Sequence, residues 1–264
     1  MKKDKLRILS LGAGVQSSTL ALMIEKGEIP MVDASIFADT QAESKETMDF
    51  LNWLKSKLSF PVYIISKGNL TKHLLNTNFP IAPFYSQNKI SGKKGLMMRQ
   101  CTNDFKIQPI IKKIRELLGY KKGERIKKGT KVEMLMGISK DEIFRAKSNR
   151  MPYIQNIYPL IDKRLSRQDC ITWFSKHYDV KPPRSACIYC PYKNDREWLY
   201  LKKNNPEEWL EVIDFDKKIR DNSRKKEEQV FLHKSCKPID EIEFNPNKNQ
   251  LNLFDNECEG LCGV

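Results

Sequence analysis

The spacing of hydrophobic and polar positions changes period several times along the chain. LRILSL (6–11) is a short apolar run, as expected of a strand buried on both faces. SSTLALMIEKG (17–27) reads as a helix, with Gly27 suited to the position just beyond its end. MVDASIFAD (31–39) predicts a second strand. In SKETMDFLNWLKSKL (44–58), Met48, Leu51, Leu54 and Leu58 fall near one helical face, and PVYIIS (61–66) predicts a third strand. Strands alternating with helices imply parallel pairing through right-handed crossovers.

From 68 to 100 the periodicity fades into Asn, Pro, Gly and Lys, which predicts a long loop of the kind that carries function. Pro109 then suits the first turn of a helix bearing Ile110, Ile111, Ile114, Leu117 and Leu118, closed by Gly119. KVEMLMGIS (131–139) is a further strand. Ser166 and Asp169 form a capping-box pattern ahead of the CITWFSKH helix, and Asn205 with Pro206 opens another. The last forty residues are polar and irregular. Together these elements predict an α/β fold, an open and mostly parallel sheet with helices on both faces, over residues 1–185. A helical and irregular extension, 186–264, is expected to pack back on the active site.

Composition narrows the class. The chain has 264 residues, 40% of them hydrophobic, which suffices for a core. No apolar run reaches about eighteen residues, and the N-terminus lacks the pattern of a secretion signal, so a cytoplasmic protein without a membrane segment is expected. Seven cysteines are an odd number for a disulfide framework, which moves metal ligation or thiol chemistry forward. The formal net charge is +14 and it is clustered. Lys121, Lys122, Arg125, Lys127, Lys128 and Lys131 crowd one stretch against Glu124 alone, and Lys93, Lys94 and Arg99 another. Such a field favours polyanions.

Candidate chemistry begins after the first strand. Gly12, Ala13 and Gly14 let the backbone turn tightly, and Ser17 and Ser18 add hydroxyls near a helix N-terminus, where N–H groups and the helix dipole favour phosphate. The loop lacks the lysine of a Walker A motif and the third glycine of a dinucleotide fingerprint. Asp39 ends the second strand at the sheet edge where ligands of open α/β folds bind, and either a nucleotide or metal role or a helix cap would suit it. Arg145, after the fourth strand, is the best anion contact. Cys187 and Cys190 form a C-x-x-C pair able to chelate zinc or an iron–sulfur cluster, or to act unmetallated as a redox pair, with no second pair nearby. Cys170 reads as a buried small hydrophobe. His73, His177 and His233 lie far apart and read as structural or surface residues.

Seven segments, in order from 6 to 262, resemble the phosphoadenylyl-sulfate (PAPS) reductase-like family of the PP-loop ATP-pyrophosphatase superfamily. The loop at Gly12–Ser17 stands in place of SGGxDS, and FADTQAESKET (37–47) is similar to DTG…PET. RQCTNDFKIQPI (99–110), GISKDEIFR (137–145) and YPLIDKRLSRQDCITWF (158–174) match further family segments. SACIYC (185–190) and the tail NECEGLC (256–262) resemble the family's late cysteine motifs. The resemblance implies a HUP/PP-loop, Rossmann-like fold that binds ATP, or PAPS/APS, with Mg²⁺. It nominates Gly12, Ala13, Gly14, Gln16, Ser17, Ser18, Asp39, Thr40, Gly137 and Arg145 as nucleotide contacts. It also implies a [4Fe–4S] cluster, with zinc as runner-up, on Cys101, Cys187, Cys190 and a fourth ligand, assigned to Cys262 over Cys236 or Cys258. Cys258 matches the family's catalytic thiol; the alternative is that both tail thiols are ligands.

Three departures redirect the expectation. Gln16 replaces the loop aspartate, Val15 a common lysine, and Ser139 an arginine that would clamp a sulfonucleotide phosphate. The leading expectation is therefore an iron–sulfur-dependent enzyme that adenylates tRNA or DNA with ATP and inserts sulfur. Its sulfur would come from a partner such as a cysteine desulfurase or a thioredoxin-like reductant. The alternatives are a sulfonucleotide reductase releasing sulfite and a non-catalytic nucleic-acid-binding module.

Overall fold

The structure, a computed structural model, describes residues 2–77, 81–223 and 227–245. In chain order the elements begin with β1 (Lys5–Leu11), α1 (Val15–Glu25), β2 (Ala34–Ala38), α2 (Lys45–Lys55) and β3 (Val62–Ile65). Next come α3 (Leu70–Leu75), β4 (Tyr85–Asn88), β5 (Lys94–Leu96), α4 (Gln108–Leu117) and β6 (Lys131–Met136). The last are β7 (Ile154–Ile157), α5 (Pro159–Asp162), α6 (Arg167–His177), α7 (Asp195–Asn204), α8 (Pro206–Lys218) and β8 (Glu228–Phe231). The described residues divide into two units, one built from 2–67 and 102–185, the other from 68–101 and the described part of 186–245.

The first unit is a five-stranded sheet in the order β3-β2-β1-β6-β7, with every pair parallel. Ile8 of β1 is in register with Ala34 of β2 and with Met134 of β6. Because strand side chains alternate, β1 sends Leu9 and Leu11 to one face and Leu6 and Ile8 to the other. The first face packs against α1, α2 and α6, through Leu20, Leu51 and Phe174 among others. The second packs against α4, through Ile110 and Ile114. This is the expected open α/β sheet, covered by helices on both sides. Cys170 is fully buried on the core face of α6, and its carbonyl accepts a hydrogen bond from Thr19 Oγ1 at 3.3 Å. Both halves of the Ser166–Asp169 capping box form.

In the second unit the structure corrects the sequence reading. The segment read as a loop of the first domain contains α3, β4 and β5, and β4 pairs antiparallel with both β5 and the distant β8. Strands of three or four residues carry too little periodicity to register locally, and their pairing partner arrives only near the end of the chain. Phe215 anchors this core, stacked on Tyr189 at 4.1 Å and tilted against Phe84 at 6.0 Å.

Two polar knots hold the second unit. Asp216, 1% exposed, accepts from the backbone N–H of Leu232 at 3.0 Å and of Ile239 at 3.1 Å, and pairs with Arg220. His233 accepts at Nδ1 from the Ser235 N–H at 3.2 Å, so its proton sits on Nε2, 3.2 Å from Asp195 Oδ1. Burial pushes the His233 pKa down, the largest influence, against the opposing pull of Asp195. A depressed folded-state pKa stabilises the native protein above the ordinary histidine value, and that contribution is lost as pH falls below it. Urea melts at about pH 7 and about pH 5 should therefore show wild type losing more stability on acidification than His233→Gln. Equal losses would remove His233 from the acid response.

Candidate functional site

The strand order reverses between β1 and β6. From β1 the chain proceeds outward to β2 and β3; from β6 it proceeds the other way to β7. In open α/β sheets such a switch leaves a crevice beyond the carboxyl ends of the two strands, where ligands bind. The glycine loop leaves β1 at this crevice and Gly137 leaves β6 at it.

The loop is built for a close backbone approach. Ala13 adopts a left-handed φ of +58°, and Gly14 caps α1 with no side chain on its first-turn N–H groups. Uncapped donors at the start of an eleven-residue helix, with its dipole behind them, suit an anion. Ser17 Oγ accepts from the Gly12 N–H at 3.2 Å and donates to the Gly14 carbonyl at 3.4 Å, so this hydroxyl ties the loop together. Ser18 is fully buried, and its Oγ has no hydrogen-bond partner among the described residues.

Across the crevice, a Cβ on Gly137 would lie 2.6 Å from Ser17 Cα and 2.7 Å from its nitrogen. Glycine is thus what lets the end of β6 rest on the first turn of α1. Gln16 forms a latch beside it, donating through Nε2 to Ser139 Oγ at 3.3 Å and accepting at Oε1 from Arg167. Gln16 and Ser139 are both completely buried, so two of the three positions singled out as departures in the sequence meet each other inside the protein. Arg167, from the start of α6, escaped the sequence reading because nothing local links it to position 16.

At the end of β2, Asp39 Oδ1 accepts from the Gln41 N–H at 2.7 Å and shapes a turn in which Gln41 has a φ of +56°. The cap of α2 is Ser44, which accepts from the Thr47 N–H, so Asp39 caps no helix there. Thr40 Oγ1 donates to Glu43 Oε1 at 3.1 Å, and Lys106 Nζ lies 3.3 Å from the same oxygen. The Glu43 and Lys106 side chains are 1% and 8% exposed. Lys106 stood within a matched segment, but a lysine in so basic a chain gave no sign of a buried carboxylate partner. Arg145 is engaged in the same way, its Nη1 2.6 Å from Glu142 Oε2 with both side chains buried.

The cysteines described lie in the second unit, apart from Cys170. Cys187 and Cys190 are buried in a tight turn closed by the Cys190 N–H to the Cys187 carbonyl at 3.1 Å. The Cys101 N–H donates to the Ile81 carbonyl at 2.9 Å. Cys236 is buried with Sγ 3.8 Å from the Ser86 carbonyl, and burial pushes its thiol pKa up. Among the described residues no group of three or more His, Cys, Asp or Glu is arranged to hold a metal. Cys258 and Cys262 lie outside the described residues. Among those described, no helix is long and apolar enough to cross a membrane.

No protein-family model matches the chain. An uncharacterized protein of Methanocaldococcus jannaschii is 24% identical over 219 residues, covering 77% of this chain and 46% of that protein. The chain thus spans about half the length of the curated relative it matches. Among solved structures it is similar to the phosphoadenylyl-sulfate (PAPS) reductase of Candida auris in its phosphate complex. That likeness is at 14% identity and a TM-score of 0.42, over 68% of this chain and 75% of the other.

Proposed function

We propose that the chain is a PP-loop-type enzyme that uses ATP to adenylate an oxygen of a nucleic acid, which sulfur then replaces. The observation that carries the nucleotide half is the uncapped start of α1 at the switch crevice, with the Gly137 backbone against it. Its N–H groups suit the phosphates of ATP. The acceptor oxygen attacks the α-phosphorus and pyrophosphate leaves, so a poor leaving oxygen becomes part of AMP. A sulfur nucleophile then attacks the activated carbon and AMP departs. That sulfur is the outer atom of a persulfide on Cys258, loaded by a donor such as a cysteine desulfurase; a thioredoxin-like dithiol then cleaves the S–S bond, supplying the two electrons and freeing the Cys258 thiol, and no step is assigned to a metal or cluster.

The buried Gln16–Ser139 latch favours ATP over a sulfonucleotide, because the position matching the reductases' arginine holds a small, internally bonded hydroxyl. Pyrophosphate release from ATP, measured with and without RNA or DNA, tests the proposal. Nucleic acid should raise release by at least about tenfold, the scale of contacts worth ~1.4 kcal/mol in the transition state. Sulfite formed from PAPS without ATP turnover would replace this reading with a reductase. Nucleic-acid binding with neither activity would leave a binding module.

A further inference from the structure

A groove of about 880 Å³ runs along α4 in the first unit. At one end it is lined by Ser66 and Lys67, which directly follow β3, together with Gln108 at the start of α4. At the other it is lined by Lys121, Lys122 and Gly123, beyond the end of α4. Parallel strands share a carboxyl edge, so the Ser66 end opens on the sheet edge that carries the glycine loop. The helix between is ten residues long, about 15 Å. That length matches about four successive phosphates of one strand in a duplex.

The charge of this groove is organised by its neighbours. Lys112 and Arg115 lie one helical turn apart on the open face of α4, while Ile110 and Ile114 face the core. Arg115 holds the 121–124 turn in place through the carbonyls of Lys121 and Glu124. The acid of that segment, Glu124, is drawn off by Lys2 and the Lys121 N–H, which leaves the Lys121 and Lys122 side chains exposed. Glu116, the acid on the lining, is 3.6 Å from Lys113. A second pocket meets the groove at Gln108 and Ile111 and adds Lys147 and Arg150.

We infer that this groove takes the phosphate backbone of a nucleic acid and leads it to the nucleotide site. The inference rests on the proposed function for its biological meaning, but it concerns binding alone. A linear polyanion fits better than a single nucleotide, because the cations follow the length of a helix instead of converging on one point.

Its test is fluorescence anisotropy of the full chain with labelled RNA and DNA, without ATP, across a salt series. Lys112→Ala/Lys121→Ala/Lys122→Ala should weaken binding by at least about tenfold and flatten the slope of log affinity against log salt by about 2 to 3. Lys26→Ala/Lys55→Ala/Lys176→Ala removes the same charge from exposed positions elsewhere on this unit and should change little. Equal losses in the two triple variants, or no wild-type binding, would overturn the inference. So would polyglutamate competing as well as nucleic acid. A preference for RNA or for DNA names the source of the backbone, and either supports the groove. Because no turnover is read, a failure of adenylation leaves this result standing or falling on its own.

Discussion

Gly137→Ala should reduce ATP affinity by at least about tenfold while the protein still folds, because overpacking of this kind costs about 1–3 kcal/mol. The new methyl would have to occupy space 2.6 Å from the Cα and 2.7 Å from the nitrogen of Ser17. Those are backbone atoms in the first turn of α1, so no side chain can swing aside. Relief requires moving either the end of β6 or the turn that presents the N–H groups, and both border the crevice. Calorimetric titration with ATP, alongside a thermal melt, separates the two effects. A folded variant that binds ATP as wild type does would show that the start of α1 is not the phosphate site.

The second unit should be most sensitive at Asp216. Removing its carboxylate by Asp216→Ala leaves Arg220 and the N–H groups of Leu232 and Ile239 without their acceptor. Breaking a buried pair from one side costs about 3–5 kcal/mol. Burial also raises the Asp216 pKa, which marks how strongly the charge is desolvated, so Asp216→Asn should be milder than alanine. Hydrogen exchange reads the effect directly: the amides of Leu232 and Ile239 should lose protection in the alanine variant. Retained protection at both would mean that other contacts hold the end of β8.

Much of the first unit was legible because its elements are long and regular. The strands at 6–11 and 131–139 announce themselves as apolar runs, and the capping box at Ser166 is a four-residue signal that reports on itself. The site was legible as a loop but not as a geometry. Gly137 was nominated as a ligand contact, and the structure reveals its close packing on Ser17. Gln16 read as a missing aspartate, and its partners Ser139 and Arg167 come from elements far along the chain. In the second unit α8 was legible from Asn205 and Pro206, but β4 and β8 were not, since they acquire their pairing from each other and not from their own few residues.

The sequence by itself therefore determined the alternation of strands and helices, the small-residue loop after β1 and the concentration of basic charge, all of which are local properties of residues near one another in the chain. Only the tertiary structure decided where the sheet reverses order, which buried charges pair, that Gly137 must lack a side chain, and that scattered lysines line one groove. Each of these depends on atoms brought together across long loops, and hydrogen-bonding and steric distances of about 3 Å are fixed only once the core has packed.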